Sequence, residues 1–134
     1  MNIVDQSKLT KLQKLFRSYP QVIAAYFYGS RVTGHSHKKS DLDLAIVVES
    51  LEEINYGRFY NDINSIVQGV EVDVRFTMSK KNLFYNFQVL KTGRRIYEKN
   101  TKKRTTFEAG VLADYYDSQH IRDTYDSYLN QFFK

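Results

Sequence analysis

The chain has 134 residues and no cysteine, with 42% hydrophobic and 15% aromatic residues. Its length and apolar content fit one globular domain and exclude an intrinsically disordered chain, and the lack of cysteine removes disulfides and thiolate zinc sites. Twenty Lys and Arg against fifteen Asp and Glu give a formal charge of +5, which attracts polyanions without choosing among nucleic acid, an acidic partner and a triphosphate.

Ser7 is placed to cap a first helix that runs to about Tyr19, with Leu9, Leu12, Leu15 and Phe16 as its apolar stripe. Pro20 ends it. The lysine-rich side of this helix is expected to face solvent. Val22 to Tyr28 is an apolar run rich in β-formers and reads as a buried strand broken by Gly29 and Ser30. The polar segment Ser30–Lys39 is expected to start as a short helical turn facing phosphates, with His35 and His37 exposed rather than metal-bound. A second strand covers Asp41 to Val48. Ser50 to Glu53 resembles a capping box, predicting a helix to about Val67 that buries Ile54, Phe59, Ile63 and Ile66. Gly69 ends that helix, and Val70 to Thr77 alternates apolar and polar residues as a half-buried strand does. Ser79 is placed to cap a further helix to about Lys91, with Leu83, Phe84, Phe87 and Leu90 inward and Gly93 as its stop. Arg94 to Tyr97 reads as a short last strand or extended segment, and Asn100 to Arg104 as a basic link. A helical tail follows over about 105–134, whose aromatic residues suit helix packing or a partner surface better than base stacking. The expected fold is α/β or α+β, a small mixed β-sheet with helices packed mainly on one face. The domain is expected to span 1–134, with its core over about 1–98.

The chemistry concentrates between Gly29 and Asp43. A glycine at a strand end lets backbone approach a phosphate, and a neighbouring serine hydroxyl can hold a phosphate oxygen. Arg31 follows immediately, suited equally to a phosphate or to a surface ion pair. Asp41 and Asp43 are two residues apart on one strand and so share a face, where their mutual repulsion is relieved by a divalent cation with a preference for oxygen. A third carboxylate, Asp73 or Glu71, joins them if the Val70–Thr77 strand lies alongside. Three carboxylates beside a phosphate cradle suit two-metal phosphoryl or nucleotidyl transfer.

Gly29 and Ser30, ten intervening residues, Asp41-Leu42-Asp43 and the valine-flanked Asp73 resemble the signature of the DNA polymerase β-like nucleotidyltransferases. More narrowly, the chain resembles the minimal nucleotidyltransferases (MNT), in which a HEPN-domain partner is usual. The resemblance extends to the tail, through Arg104, Phe107, Glu108, Tyr115, Tyr116, Asp117 and Arg122. It implies a palm-like core with C-terminal helices and an antitoxin role, in which AMP is moved from ATP onto a tyrosine of a HEPN ribonuclease toxin. It further implies that Asp41 and Asp43 bind two Mg2+ ions, that Asp73 binds the catalytic ion and helps deprotonate the acceptor, and that Gly29 and Ser30 hold the triphosphate. The basic, histidine-bearing loop and Glu71, two residues before Asp73, depart from the pattern.

Other functions remain to be weighed beside this one: a stoichiometric antitoxin with a vestigial site, a nucleic-acid binder, and nucleotidyl transfer to a small hydroxylated molecule. The short chain argues against the last, and nucleic acid is not the expected substrate. No apolar leader follows Met1 and no run nears the roughly 20 apolar residues that span a bilayer, so a soluble cytoplasmic protein is expected.

Overall fold

The computed structural model describes residues 4–29 and 42–132. Its elements are α1 (Gln6–Arg17), β1 (Val22–Tyr28), β2 (Leu42–Val48), α2 (Tyr56–Val67), β3 (Val72–Thr77), α3 (Leu83–Thr92), β4 (Arg94–Glu98) and α4 (Thr101–Phe132). The sheet runs β3-β2-β1-β4. β1 is antiparallel to both β2 and β4, whereas β2 and β3 are parallel, with α2 as the crossover between them.

Alternation along the strands builds two cores. On one face Leu42, Leu44, Ile46, Val72 and Val74 meet Leu12 and Phe16 of α1 and Phe59, Ile63 and Val67 of α2. On the other, Ala24, Tyr26, Ala45 and Val47 meet Val89 of α3 and Phe107 and Val111 of α4. Asp43 and Asp73 have the parity of this second face, opposite α1 and α2.

Helix boundaries differ from expectation where a competing cap wins. Asp5, not Ser7, caps α1 by accepting from the Lys8 amide at 2.9 Å, an anion placed against the positive end of the helix. The Ser50–Glu53 segment starts no helix. Glu53 takes a φ of 63°, and Asn55 caps α2 instead by accepting from the Arg58 amide at 3.1 Å. α3 begins at Leu83 rather than after Ser79, and its buried residues are Asn86 and Val89, while Phe84 is 58% exposed. Asn86 turns the helix this way because its side chain ties three groups together: it accepts from the Thr77 hydroxyl and donates to the carbonyls of Met78 and Lys81. The supposed basic link is the first turn of α4, with Asn100 accepting from the Lys103 amide at 2.8 Å.

A polar clasp holds α4 to the sheet. Arg104 bridges Glu98 at 2.9 Å and Glu108 at 2.8 Å, and the buried Tyr26 hydroxyl donates to Glu108 at 2.6 Å. Beyond it Phe107 and Val111 pack into the second core, Tyr115 stacks on Phe87 at 3.6 Å, and the apolar stripe then continues into solvent with Ile121 at 70% and Tyr125 at 61% exposure.

Burial, followed by the Glu108 hydrogen bond, pushes the Tyr26 hydroxyl well above the ordinary tyrosine value of 10.0. The unfolded chain therefore ionises first. Stability that is fully present below pH 10 should fall as pH rises further, by about 1.4 kcal/mol per pH unit from this residue. Urea unfolding at several pH values above 10 checks this: Tyr26→Phe should flatten the fall, while costing about 1.5–3 kcal/mol at neutral pH through the lost bond to a charged acceptor.

Candidate active site

β1 and β2 run antiparallel and β2 and β3 parallel, so one row of paired positions crosses three strands: Tyr28 opposite Asp43, and Asp43 opposite Asp73. Neighbouring residues in such a row have Cβ atoms about 5 Å apart. Of the two carboxylates considered for the third place, Asp73 is the one in register with Asp43. Glu71 precedes β3 and accepts from the Tyr60 hydroxyl on α2 at 2.5 Å, so it is held by the crossover helix, while Asp73 sits in register with Asp43.

Gly29 ends β1 with a φ of +91°, a conformation that an L side chain rarely adopts. A Cβ at this position would run into Asp43 Oδ2. The bare glycine thus leaves room for the carboxylate beside the backbone that follows β1. Ser30, Arg31, Asp41, His35 and His37 lie outside the described residues, as does the expected helical turn after Ser30.

Arg75, two residues along β3, pairs with Asp73 at 3.3 Å, and that carboxylate is the main reason the guanidinium holds its proton more firmly than usual. Above Tyr28 stands Tyr85 of α3, its hydroxyl donating to the Tyr28 oxygen at 2.8 Å, with the rings edge-on at 5.5 Å. Burial raises both hydroxyls above the ordinary tyrosine value, with Asp43 adding to it through its charge. The Tyr28 position follows from strand alternation. Tyr85 has no such signal in the sequence, because the rotation of α3 is set by the buried Asn86.

Among the described residues no group of three metal-ligating side chains is assembled. Asp43 and Asp73 nonetheless form an all-oxygen pair close to the side-chain-free Gly29, which fits a hard divalent cation such as Mg2+ and disfavours a soft one. Arg75 adds a fixed positive charge suited to a phosphate. No helix among the described residues is long and apolar enough to cross a membrane.

No curated protein matches the chain. Solved structures do. The crystal structure of a toxin–antitoxin with AMP-PNP superposes with a TM-score of 0.67 at 20% identity, covering 94% of this chain and 98% of that one. The structure of a tri-AMPylated Shewanella oneidensis HEPN toxin in complex with MNT antitoxin gives 0.65 at 18% identity, with 96% and 98% covered. A toxin–antitoxin MntA–HepT crystal structure gives 0.60 at 17% identity, with 97% and 100% covered. At such identities these likenesses establish the fold. The family described as polymerase beta, nucleotidyltransferase matches residues 10–102, well over half the chain, and the chain belongs to that family.

Proposed function

We propose that the chain acts as one nucleotidyltransferase domain over 1–134, an antitoxin that moves AMP from ATP onto a tyrosine of a HEPN toxin. The observation that carries this reading is Asp43 facing Asp73 beside Gly29, in a chain that matches members of toxin–antitoxin complexes over nearly its whole length.

In the proposed reaction the acceptor tyrosine's oxygen bonds to the α-phosphorus of ATP, the bond from that phosphorus to the bridging oxygen of the β-phosphate breaks, and pyrophosphate leaves. The tyrosine's proton passes to Asp73 and then to water. Asp41 and Asp43 would hold two Mg2+ ions with Asp73 on one of them, and Gly29, Ser30 and Arg31 would hold the triphosphate. Bound magnesium supplies neutralisation of the triphosphate and acidification of the attacking hydroxyl. The whole would work in the cytoplasm, where ATP and a ribonuclease toxin's substrates are found. Pyrophosphate release from ATP tests the reaction: it should require both magnesium and the toxin, and release unchanged by omitting the toxin would rule out this acceptor.

The Arg75–Asp73 pair favours a second reading, in which the chain neutralises its partner by binding alone with Asp73 occupied by its own strand neighbour. Under the second reading neither the wild type nor Arg75→Ala transfers AMP at any magnesium concentration. If the pair merely competes with the metal, the variant should reach half-maximal transfer at a several-fold lower magnesium concentration, measured by titration at fixed ATP.

A further inference from the structure

β3 is an edge strand, and its outward backbone groups would ordinarily pair with a fifth strand or with water. The Leu42 amide donates to the Glu71 carbonyl at 3.0 Å, so the groups of residue 71 turn toward β2 and those of Val72 and Val74 turn outward. α2 meets them with a second stripe beside its core stripe. Phe59, Ile63 and Val67 point into the core, and Tyr56, Tyr60 and Asn64, spaced four apart, reach the edge.

Both backbone groups of Val72 and the carbonyl of Val74 have partners on α2. Asn64 accepts from the Val72 amide at 2.8 Å, and its own amide lies 3.5 Å from the Val72 carbonyl. The Tyr56 hydroxyl donates to the Val74 carbonyl at 2.9 Å. Tyr60 donates to the Glu71 carboxylate at 2.5 Å and stacks on Tyr56 at 6.0 Å. The two residues flanking Asp73 are therefore both fixed from α2, and the competing carboxylate is drawn to the same helix.

We infer that Asn64 and Tyr56 are positioning residues for Asp73: they stand in for a missing strand, fix the backbone on both sides of that carboxylate, and so set its distance to Asp43. This inference rests on the proposed metal-binding role of Asp73. Partners that orient a ligating carboxylate typically contribute ten- to hundredfold in metal affinity.

The probe is Mn2+ in the presence of AMP-PNP, with binding read from loss of the free-ion electron paramagnetic resonance signal. Asn64→Leu, close to isosteric but unable to bond Val72, should weaken Mn2+ binding about tenfold, and Asn64→Asp, which keeps the acceptor for the Val72 amide, should restore most of it. Tyr56→Phe, which removes one hydroxyl and leaves the ring, should weaken it several-fold and keeps the test open if Asn64→Leu fails to fold. Leu12→Ala, which destabilises the first core from α1 without removing any bond to β3, should leave Mn2+ affinity within about twofold, which separates positioning from general loss of stability. Asn64→Leu and Tyr56→Phe that bind Mn2+ like the wild type, beside an Asp73→Asn that does not, would overturn the positioning role alone. An Asp73→Asn with wild-type affinity would overturn the metal assignment and this inference with it.

Discussion

Asp43→Asn is expected to reduce AMP transfer by at least a hundred- to a thousandfold, the scale on which removing one preorganised electrostatic group slows a reaction, while leaving the fold as stable as before or slightly more so. Asp43 is at the centre of the row, opposite Tyr28 on one side and Asp73 on the other. Asparagine keeps the shape and removes the charge, so it can no longer neutralise a cation shared with Asp73, and it relieves the repulsion between the two carboxylates. Rates measured at saturating ATP, alongside urea midpoints, separate the two effects. A variant with near wild-type turnover would mean that Asp43 does not act in the chemistry.

Gly29→Ala should lower both stability and activity, through different causes. The φ of +91° imposes on any L side chain a cost of about 1–2 kcal/mol, which appears directly in the folding free energy. The new methyl would also meet Asp43 Oδ2, so either the carboxylate swings aside or the strand end moves. A shift of about 1 Å in a catalytic group is enough to cost about a hundredfold in rate. Activity should therefore fall much further than the unfolded fraction explains. Activity loss that only tracked stability would show that the closeness of Gly29 to Asp43 has no catalytic meaning.

The sequence made the strands plain, for physical reasons that differ from strand to strand. β1 is a short unbroken apolar run because it lies inside the sheet with both faces covered, whereas β3 alternates because it is an edge strand with one covered face. Helix ends were harder to read. Ser7 and Ser50 have capping chemistry, but Asp5 and Asn55 have it too, and only the packing of Leu12 and Phe59 decides which residue lies at the helix start. In α3, Leu83, Phe87 and Leu90 pack against the second core as their pattern implies, but a fully buried place goes to Asn86, an amide with three partners, and Phe84 is left 58% exposed.

The site divides along the same line. Local alternation gives only the face of each strand on which Asp43 or Asp73 lies, while Gly29 stands out as a strand-ending glycine; that the two aspartates meet depends on the β2–β3 pairing. That Asp73 rather than Glu71 is the residue opposite Asp43 does not follow locally. It depends on the parallel register between β2 and β3 and on Tyr60, eleven residues before Glu71, reaching back to hold it. Tyr85 and the edge-binding stripe of α2 are likewise products of tertiary packing, although the four-residue spacing of Tyr56, Tyr60 and Asn64 marks a second polar stripe of α2 in the sequence itself.

The measurement that tests the central claim most directly is the intact mass of the HEPN toxin after incubation with this protein and magnesium-ATP, with Asp43→Asn as the control. The account predicts one or more AMP additions on the toxin with the wild-type chain and none with the variant. An unmodified toxin in a stable complex with the wild-type chain would contradict it, leaving the chain to act by binding and the Asp43–Asp73 pair without a role in transfer.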